Sequence, residues 1–245
     1  MRTATGGASY GYEGAKNYAQ QKGFNGTDIR PHVLIHAKPL LTDNPVYEYL
    51  LTQEVPAELQ RSLFSLPKND GFYCTGTGVA VARVPVQKSA NGDEKLMFGN
   101  AKFYYFADKA VFQGAAPQPN ASSGWATEAE AVENVYGGKM KIEVEDSTIC
   151  DNLSTAVFET VPFTQTGATQ INATPKINCK DLGKPFGFFG DKDSKVTITL
   201  GNGDYLAIAG DTAIAAGTVG YRNFLVLIQN GFLIRKAAAG QRIAG

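Results

Sequence analysis

Histidine is the residue type best suited to chemistry at neutral pH, and the chain contains two of them. His32 and His36 lie four positions apart, a spacing that would turn both rings toward one metal ion on a helix. The intervening Val33-Leu34-Ile35 favours a strand, where residues four apart share a face but stand about 13 Å from each other. We therefore predict two strand histidines with satisfied hydrogen bonds, and no metal site. A Ser-His-Asp or Cys-His centre would have to use the same pair, and no GxSxG motif is present.

Two further patterns offer groups that could bind a ligand. Gly76-Thr77-Gly78 is similar to the start of a phosphate-binding loop, but no third glycine or helix start follows, and Val79-Ala80-Val81 continues as strand. Asp191, Asp193 and Asp204 offer carboxylates near loops without the EF-hand spacing and its terminal Glu, so solvated turn residues are expected. No acidic pair stands out as a glycosidase pair. We predict no catalytic, cofactor-binding or metal-binding residue, and a protein that is not an enzyme.

The cysteines and the N-terminal residues indicate the cellular compartment in which the protein folds. Cys74, Cys150 and Cys179 are odd in number and have no CxxC spacing. They are expected to be reduced and partly buried, with one disulfide plus a free thiol as the alternative. The first residues contain no apolar segment of the kind found in secretory signals, which favours assembly in a cytoplasm.

Composition and charge narrow the function classes. The chain has 245 residues with 27 Gly, 11 Pro, 14 Phe and 11 Tyr, which is typical of an ordered, turn-rich β protein. Lys plus Arg and Asp plus Glu balance at 23 each, so no long-range field attracts nucleic acid, and no specific nucleic-acid binding is predicted. No apolar run approaches the roughly 20 residues of a membrane span. The basic C-terminus around Arg235, Lys236 and Arg242 is expected to be a solvated tail, with contact to a charged surface in an assembly as the alternative.

The run Tyr221–Lys236 carries the clearest local prediction. Phe224–Ile228 and Phe232–Ile234 are apolar throughout, and Asn230-Gly231 between them is a strong hairpin signal because both central residues of a type I′ turn need positive φ. Neither arm alternates between apolar and polar residues, so both faces should be covered by protein. We predict a buried hairpin in the middle of a sheet, with Phe224–Ile228 paired to Phe232–Ile234.

The rest of the chain reads as short strands with two helices. Val55–Leu66 is the best helix, with Pro56 in the first turn and Pro67 after its end, and Thr127–Tyr136 is a shorter one. Asn91-Gly92 predicts a hairpin between the strands that precede and follow it. The predicted strands span 32–37, 46–52, 72–86, 96–107, 140–144, 156–163, 196–200 and 205–209.

These segments fall into two β-rich halves of similar size. Residues 1–30 form a Gly- and Tyr-containing N-terminal arm, expected to be flexible or ordered only against a neighbouring subunit. The domains predicted are residues 31–115 and 137–245, joined by a connecting segment at 116–136.

This organisation resembles the double jelly-roll major capsid proteins of small tailless icosahedral bacteriophages with an internal membrane. The resemblance rests on the arm, the two halves, the connecting segment, the Val55–Leu66 insertion, and the half-exposed strand that follows Gly137-Gly138 and leads to Phe158–Gln165. It covers most of the chain. It implies an all-β fold of two jelly-roll barrels side by side with a short helix in the first half. Because the chain is short for two barrels, one elaborated β-sandwich stays open.

What the family resemblance implies is a structural protein of the virion, assembled in the host cytoplasm. Pseudo-hexameric homotrimers would tile an icosahedral shell through contacts with neighbouring capsomers. Penton or minor capsid proteins and the internal membrane are the further partners implied, and no cofactor is expected.

Two other function classes stay open. A carbohydrate-binding β-sandwich, such as a phage tail or surface lectin or a glycan-active protein, would need a concave aromatic site, and the loop Asn120–Trp125 is the candidate. A tail-tube or adaptor protein would be built from a single sandwich with long hairpins.

Overall fold

A computed structural model describes residues 6–24, 28–41, 44–52, 66, 69–96, 104–106, 135–158, 179–190, 192–201 and 214–235. Helix α1 spans Gly6–Gln21, and a 3-10 turn spans Thr155–Phe158. The strands are β1 (Asp28–Pro39), β2 (Val46–Leu50), β3 (Gly71–Lys88), β4 (Glu94–Leu96), β5 (Tyr104–Phe106), β6 (Lys139–Val144), β7 (Ser147–Ser154), β8 (Phe186–Phe189), β9 (Ser194–Thr199) and β10 (Val219–Arg235). The all-β prediction is confirmed in this coarse form. In the part of the chain described, no helix is both long and apolar enough to cross a membrane.

The strands form two antiparallel sheets. The larger sheet has the order β1-β10-β3, with β4, β5 and β8 also paired to β3, and the smaller sheet has the order β2-β9-β6-β7. Apart from the short β4 and β5, the described residues form eight strands that pair in a nested way: β1 with β10, β2 with β9, β3 with β8, and β6 with β7. An antiparallel ribbon wrapped into two facing sheets gives this connectivity, which is that of an eight-stranded jelly roll.

One apolar core lies between the two sheets. The larger sheet contributes Phe72, Val81 and Leu225 to it, and the smaller sheet contributes Ile142 and Val196. The hydroxyl of Tyr49 in β2 donates to the carbonyl oxygen of Leu225 in β10 at 2.7 Å and so ties the sheets together across the core. Burial raises the pKa of Tyr49 well above its ordinary value, which keeps the phenol protonated as a donor.

The domain division predicted from the sequence does not match these pairings. Each sheet combines strands from residues 31–115 with strands from residues 137–245, since β1 and β3 flank β10 and β2 pairs with β9. Sequence length and strand count were compatible with either arrangement, because neither reveals which strands pair. The described strands correspond to the alternative, one elaborated β-sandwich.

The C-terminal hairpin prediction is wrong, although its strand and burial are confirmed. Phe224–Ile228 is strand and buried, and β10 lies in the middle of the larger sheet. However, β10 runs on through Asn230-Gly231 without turning, paired on one edge to β1 and on the other to β3. The pairing with β3 shifts between Asn230 and Gly231, which marks a β-bulge. A Cβ at Gly231 would meet the backbone of Tyr73, so glycine at this position allows β10 and β3 to approach each other closely.

The predicted flexible arm is also corrected for much of its length, because residues Gly6–Gln21 are helical. Gly11, Gly14, Ala15 and Ala19 line the side of α1 that faces the larger sheet, and both alanines are buried. A Gly-containing helix of this length is marginal alone, so tertiary packing must stabilise it. The sequence offered tyrosines and glycines without the apolar stripe on which helix recognition depends.

Several local predictions are confirmed. The hairpin at Asn91-Gly92 joins β3 to β4, and Gly92 has the positive φ that the turn requires. In β6, Met140, Ile142 and Val144 are buried and alternate with more exposed charged residues, as predicted.

Other predictions lie wholly or partly outside the described residues. These are the helix Val55–Leu66 apart from Leu66, the connecting segment apart from Val135 and Tyr136, most of the strand 96–107, and the strand 205–209. Val135 and Tyr136 are helical and buried, as expected for the end of the predicted second helix. The predicted strand 156–163 begins as a 3-10 turn, while β7 and β8 were not predicted.

Candidate functional site

A groove beside α1 lies on the outer face of the larger sheet. Its volume is about 1350 Å³. Its floor is the bulged part of β10 and β3, one wall is α1, and the ends are β1 and the loop that precedes β8. Bulges interrupt a regular strand ladder and re-aim side chains, so this floor differs from a flat sheet surface.

Close packing of α1 on the sheet creates the wall of the groove. A Cβ at Gly11 would lie 2.8 Å from the ring of Phe232, and one at Gly14 would lie 2.6 Å from the hydroxyl of Tyr73. Glycines at these two positions therefore let the helix backbone approach the aromatic floor. Farther along the helix, Tyr18 stacks on Phe189 with ring centroids 5.6 Å apart. Burial, with Glu145 as a lesser cause, raises the pKa of Tyr18.

The floor and the near wall carry aromatic rings. Tyr73 and Phe232 line the groove as partly exposed side chains. Tyr12 on α1 meets Phe232 edge to face, with centroids 6.2 Å apart and ring planes at 70°, and is itself 42% exposed. Burial raises the pKa of Tyr73, so its phenol stays neutral at physiological pH.

Oxygen and amide groups surround these rings. Glu13 and Asn17 project from the exposed part of α1, and Asp181 lies in the loop at the opposite end. The Thr75 hydroxyl donates to the carbonyl oxygen of Asn230 at 3.3 Å across the bulge. Asp181 accepts a hydrogen bond from the backbone N–H of Gly183 at 2.7 Å, which orders its loop. Among the described lining residues there is no Lys or Arg, so the groove carries net negative charge.

The two histidines lie on β1, as predicted, on the same face of the strand as Leu34, and His32 also lines the groove. His36 is 7% exposed and its Nε2 has no hydrogen-bond partner, so the prediction of satisfied hydrogen bonds is wrong for this atom. Burial lowers its pKa to about 4. The pKa of His32 is lowered as well, first by burial and then by Arg235. Over the ranges described, no three His, Cys, Asp or Glu side chains are grouped as a metal site would require.

No disulfide joins Cys74, Cys150 or Cys179, and their reduced state stays a prediction. Cys74 is buried in the core, and its thiol donates to the carbonyl oxygen of Gly76 at 3.4 Å. Burial raises the pKa of Cys74 to about 12 and that of Cys179 to about 11, which suppresses the nucleophilic thiolate.

Gly76-Thr77-Gly78 is continuous strand in β3, as expected from the residues that follow it. Asp193 is an exposed residue just before β9, while Asp191 and Asp204 lie outside the described residues, as does the loop Asn120–Trp125.

No protein-family model, curated protein or solved structure matches this chain. The groove and the jelly-roll connectivity are therefore the features from which a function can be argued.

Sequence reasoning missed the groove because its walls come from segments far apart in the chain. Glu13 and Asn17 belong to the expected arm, Tyr73 and Phe232 to predicted strands, and Asp181 to a segment for which no strand or helix was predicted. The one usable local signal was the pair Gly11 and Gly14, three residues apart among tyrosines, which is the spacing of one helix face.

Proposed function

We propose that this chain is a viral structural protein, the major capsid protein of a tailless icosahedral bacteriophage with an internal membrane. It would assemble in the host cytoplasm and reside in the virion. The observation that carries the proposal is the nested pairing of the eight described strands around the core between the two sheets, because jelly rolls of this kind are a recurrent architecture of viral capsid subunits.

The copy number in the proposal follows from the number of jelly rolls in each chain. A pseudo-hexameric trimer needs two barrels in each chain, which gives six barrels in all. With one sandwich in each chain, a trimer contains only three sandwiches. With the single sandwich, a capsomer of sixfold outline would contain six copies. The partners proposed are otherwise unchanged: further copies of this chain, penton or minor capsid proteins, and the internal membrane.

Exposed apolar side chains near the edge strands support contacts between copies. Val33 in β1, Leu41 after it, and Val46 and Leu50 in β2 are each between 40% and 46% exposed. In the described part of the sheets, β1 and β2 are both edge strands. Apolar groups along a sheet edge are typical of protein contact surfaces, and a second copy is the partner that a shell requires.

The outer face of the smaller sheet supports close lateral packing in a different way. Lys195 lies 3.8 Å from Glu48 and 3.4 Å from Glu143, and Lys141 lies 2.8 Å from Glu143. Charges of both signs alternate across three neighbouring strands, so this face has no strong field of one sign to repel a neighbouring copy.

Light scattering coupled to size exclusion, followed by negative-stain electron microscopy, tests the proposal. A capsid subunit should form rings or closed shells as its concentration rises or as the salt concentration is varied. A stable monomer under all these conditions, particularly one that binds glycans, would overturn it. The second candidate, a carbohydrate-binding β-sandwich, is favoured by the aromatic groove beside α1.

A further inference from the structure

We propose that the groove beside α1 binds an uncharged oligosaccharide. This inference goes beyond shell formation and rests on the groove alone, so it holds for a capsid subunit and for a free protein alike. On a shell it would provide attachment to surface glycans.

The groove is long enough for an extended ligand. Its lining residues come from β1, β10 and β3 and from the loop before β8, which are successive positions across the larger sheet. At a spacing of about 4.8 Å between strands, that distance is about 14 Å. A chain of several sugar rings suits this shape better than a single small molecule.

The aromatic floor suits the apolar faces of sugar rings. Tyr73 and Phe232 lie side by side on β3 and β10, where they are register partners, and both are partly exposed. The π face of an aromatic ring carries partial negative charge and attracts the C–H groups on one face of a pyranose. Tyr12, packed edge on to Phe232 and partly exposed, extends this surface toward α1.

The rim suits hydroxyl groups. Glu13 and Asp181 offer carboxylate acceptors, and the amide of Asn17 both donates and accepts. Glu13 and Asn17 are exposed, four residues apart on α1, and therefore point the same way along the groove. Hydroxyls on a sugar ring both donate and accept, so this mixture of groups is complementary to them.

Charge decides against anionic ligands. The described lining contains two carboxylates and no Lys or Arg, whereas phosphate, sulfate and sialic acid are bound through cationic side chains. Nucleic acid is disfavoured for the same reason.

A basic peptide would satisfy the charge but does not fit the floor. A peptide that binds by strand addition extends a free strand edge through backbone hydrogen bonds. The floor here is formed by β10 and β3, which are paired on both sides, so a strand can be added only at the free edge of β1, at one end of the groove and away from the aromatic floor. The ligand must instead be held by ring faces and side-chain polar groups, as an oligosaccharide is.

The test uses the full chain and a printed array of uncharged, sialylated and sulfated glycans. The hits are followed by calorimetric titration, with cellohexaose, maltohexaose and chitohexaose as soluble probes. We expect binding to one or more uncharged oligosaccharides. Asn17→Ala should weaken the affinity about tenfold because a hydrogen bond to a sugar hydroxyl is lost. The matched control is Gln20→Ala, an amide that is also exposed on α1 and lies outside the groove lining.

Phe232→Leu provides a second variant, which keeps an apolar side chain on the floor and removes the ring. It should weaken binding by a similar factor, and thermal melts of both variants report whether the fold is kept. If Phe232→Leu unfolds, the exposed Asn17→Ala carries the test alone.

Several outcomes would overturn the inference. They are the absence of binding to any uncharged glycan on the array, a preference for sialylated or sulfated glycans or for an oligolysine peptide, and an affinity that Asn17→Ala does not change. Electron microscopy of the same preparations reports assembly separately. A monomer that binds uncharged oligosaccharides keeps this inference and overturns the capsid proposal, while shells without such binding do the reverse.

Discussion

Acidification should destabilise this protein through His36 in a window set by its burial. Burial lowers its pKa from 6.5 to about 4 in the folded protein, whereas the unfolded chain exposes the ring to water. The unfolded state therefore binds the proton first as the pH falls. The stability that depends on a neutral His36 is present above pH 6.5 and is lost as the pH drops through 6.5 toward 4.

The size of the effect follows from the two pKa values. Because the folded and unfolded states bind the proton with different pKa values, the free energy of unfolding falls by about 2 kcal/mol between about pH 7.5 and about pH 5. The fall reaches about 3 kcal/mol at about pH 4. These values are a large part of the net stability of a typical domain, which is about 5–15 kcal/mol. His36 is almost completely buried, so little discount for solvent screening applies.

Urea unfolding at a series of pH values measures this effect. The variant His36→Leu removes the titrating ring and keeps an apolar side chain beside Leu34, and no hydrogen bond to Nε2 is sacrificed. We expect the stability of the wild-type protein, relative to that of the variant, to fall by the amounts given above. His32→Leu is the matched control, because His32 lies on the same strand and face but is more exposed. It should change the pH dependence less.

Parallel loss of stability in the wild-type protein and His36→Leu across this window would refute the reasoning. A native-state NMR titration of His36 with a midpoint near its ordinary value would do so as well, since it would show that burial does not hold the ring neutral.

Three further predictions concern packing and assembly. Gly231→Ala should lower the free energy of unfolding, measured in urea, by about 2–4 kcal/mol, because the added methyl group meets backbone atoms. Gly76→Ala, across the same bulge, should lower this free energy less, and an equal loss in both variants would contradict the prediction. Tyr49→Phe should lower it by about 1–2 kcal/mol, because the hydrogen bond between the sheets is lost, and an unchanged denaturation midpoint would contradict that. Leu50→Lys should reduce the shell formation seen by light scattering while the melting temperature stays the same. Val157→Lys, at a residue of similar exposure in the 3-10 turn, should leave shell formation unchanged. Identical assembly of the two variants would argue against the contact through the β2 edge.

Local strand signals in the sequence were sufficient wherever a segment's own pattern determined its structure. β6 was predicted from alternation, and the β3–β4 hairpin from Asn91-Gly92, because neither depends on distant residues. The same dipeptide chemistry failed at Asn230-Gly231. There, β1 and β3 offer hydrogen-bond partners along both edges of β10, and this outweighs the local preference for a turn.

Pairing partners and the helix were beyond the reach of sequence patterns. The nested connectivity depends on which strands meet across long separations, and nothing in Val46–Leu50 indicates that its partner is β9. Helix α1 exists because Gly11 and Gly14 fit against Phe232 and Tyr73, a match visible only once the sheet is formed. The groove could not be predicted from the sequence for the same two reasons, because its floor depends on which strands pair and its wall depends on how α1 packs on the sheet.

The central position of β10 also sets the order in which the molecule can form during synthesis. β1 and β3 lie on either side of β10 and do not pair with each other in the larger sheet, so a gap one strand wide stays between them until β10 is made. At about 5–20 residues per second, the ribosome needs about seven to thirty seconds to proceed from the end of β3 to the end of β10. During that time two strand edges lack their partner. Nascent chains stalled before β10 should therefore be sensitive to proteases and prone to association.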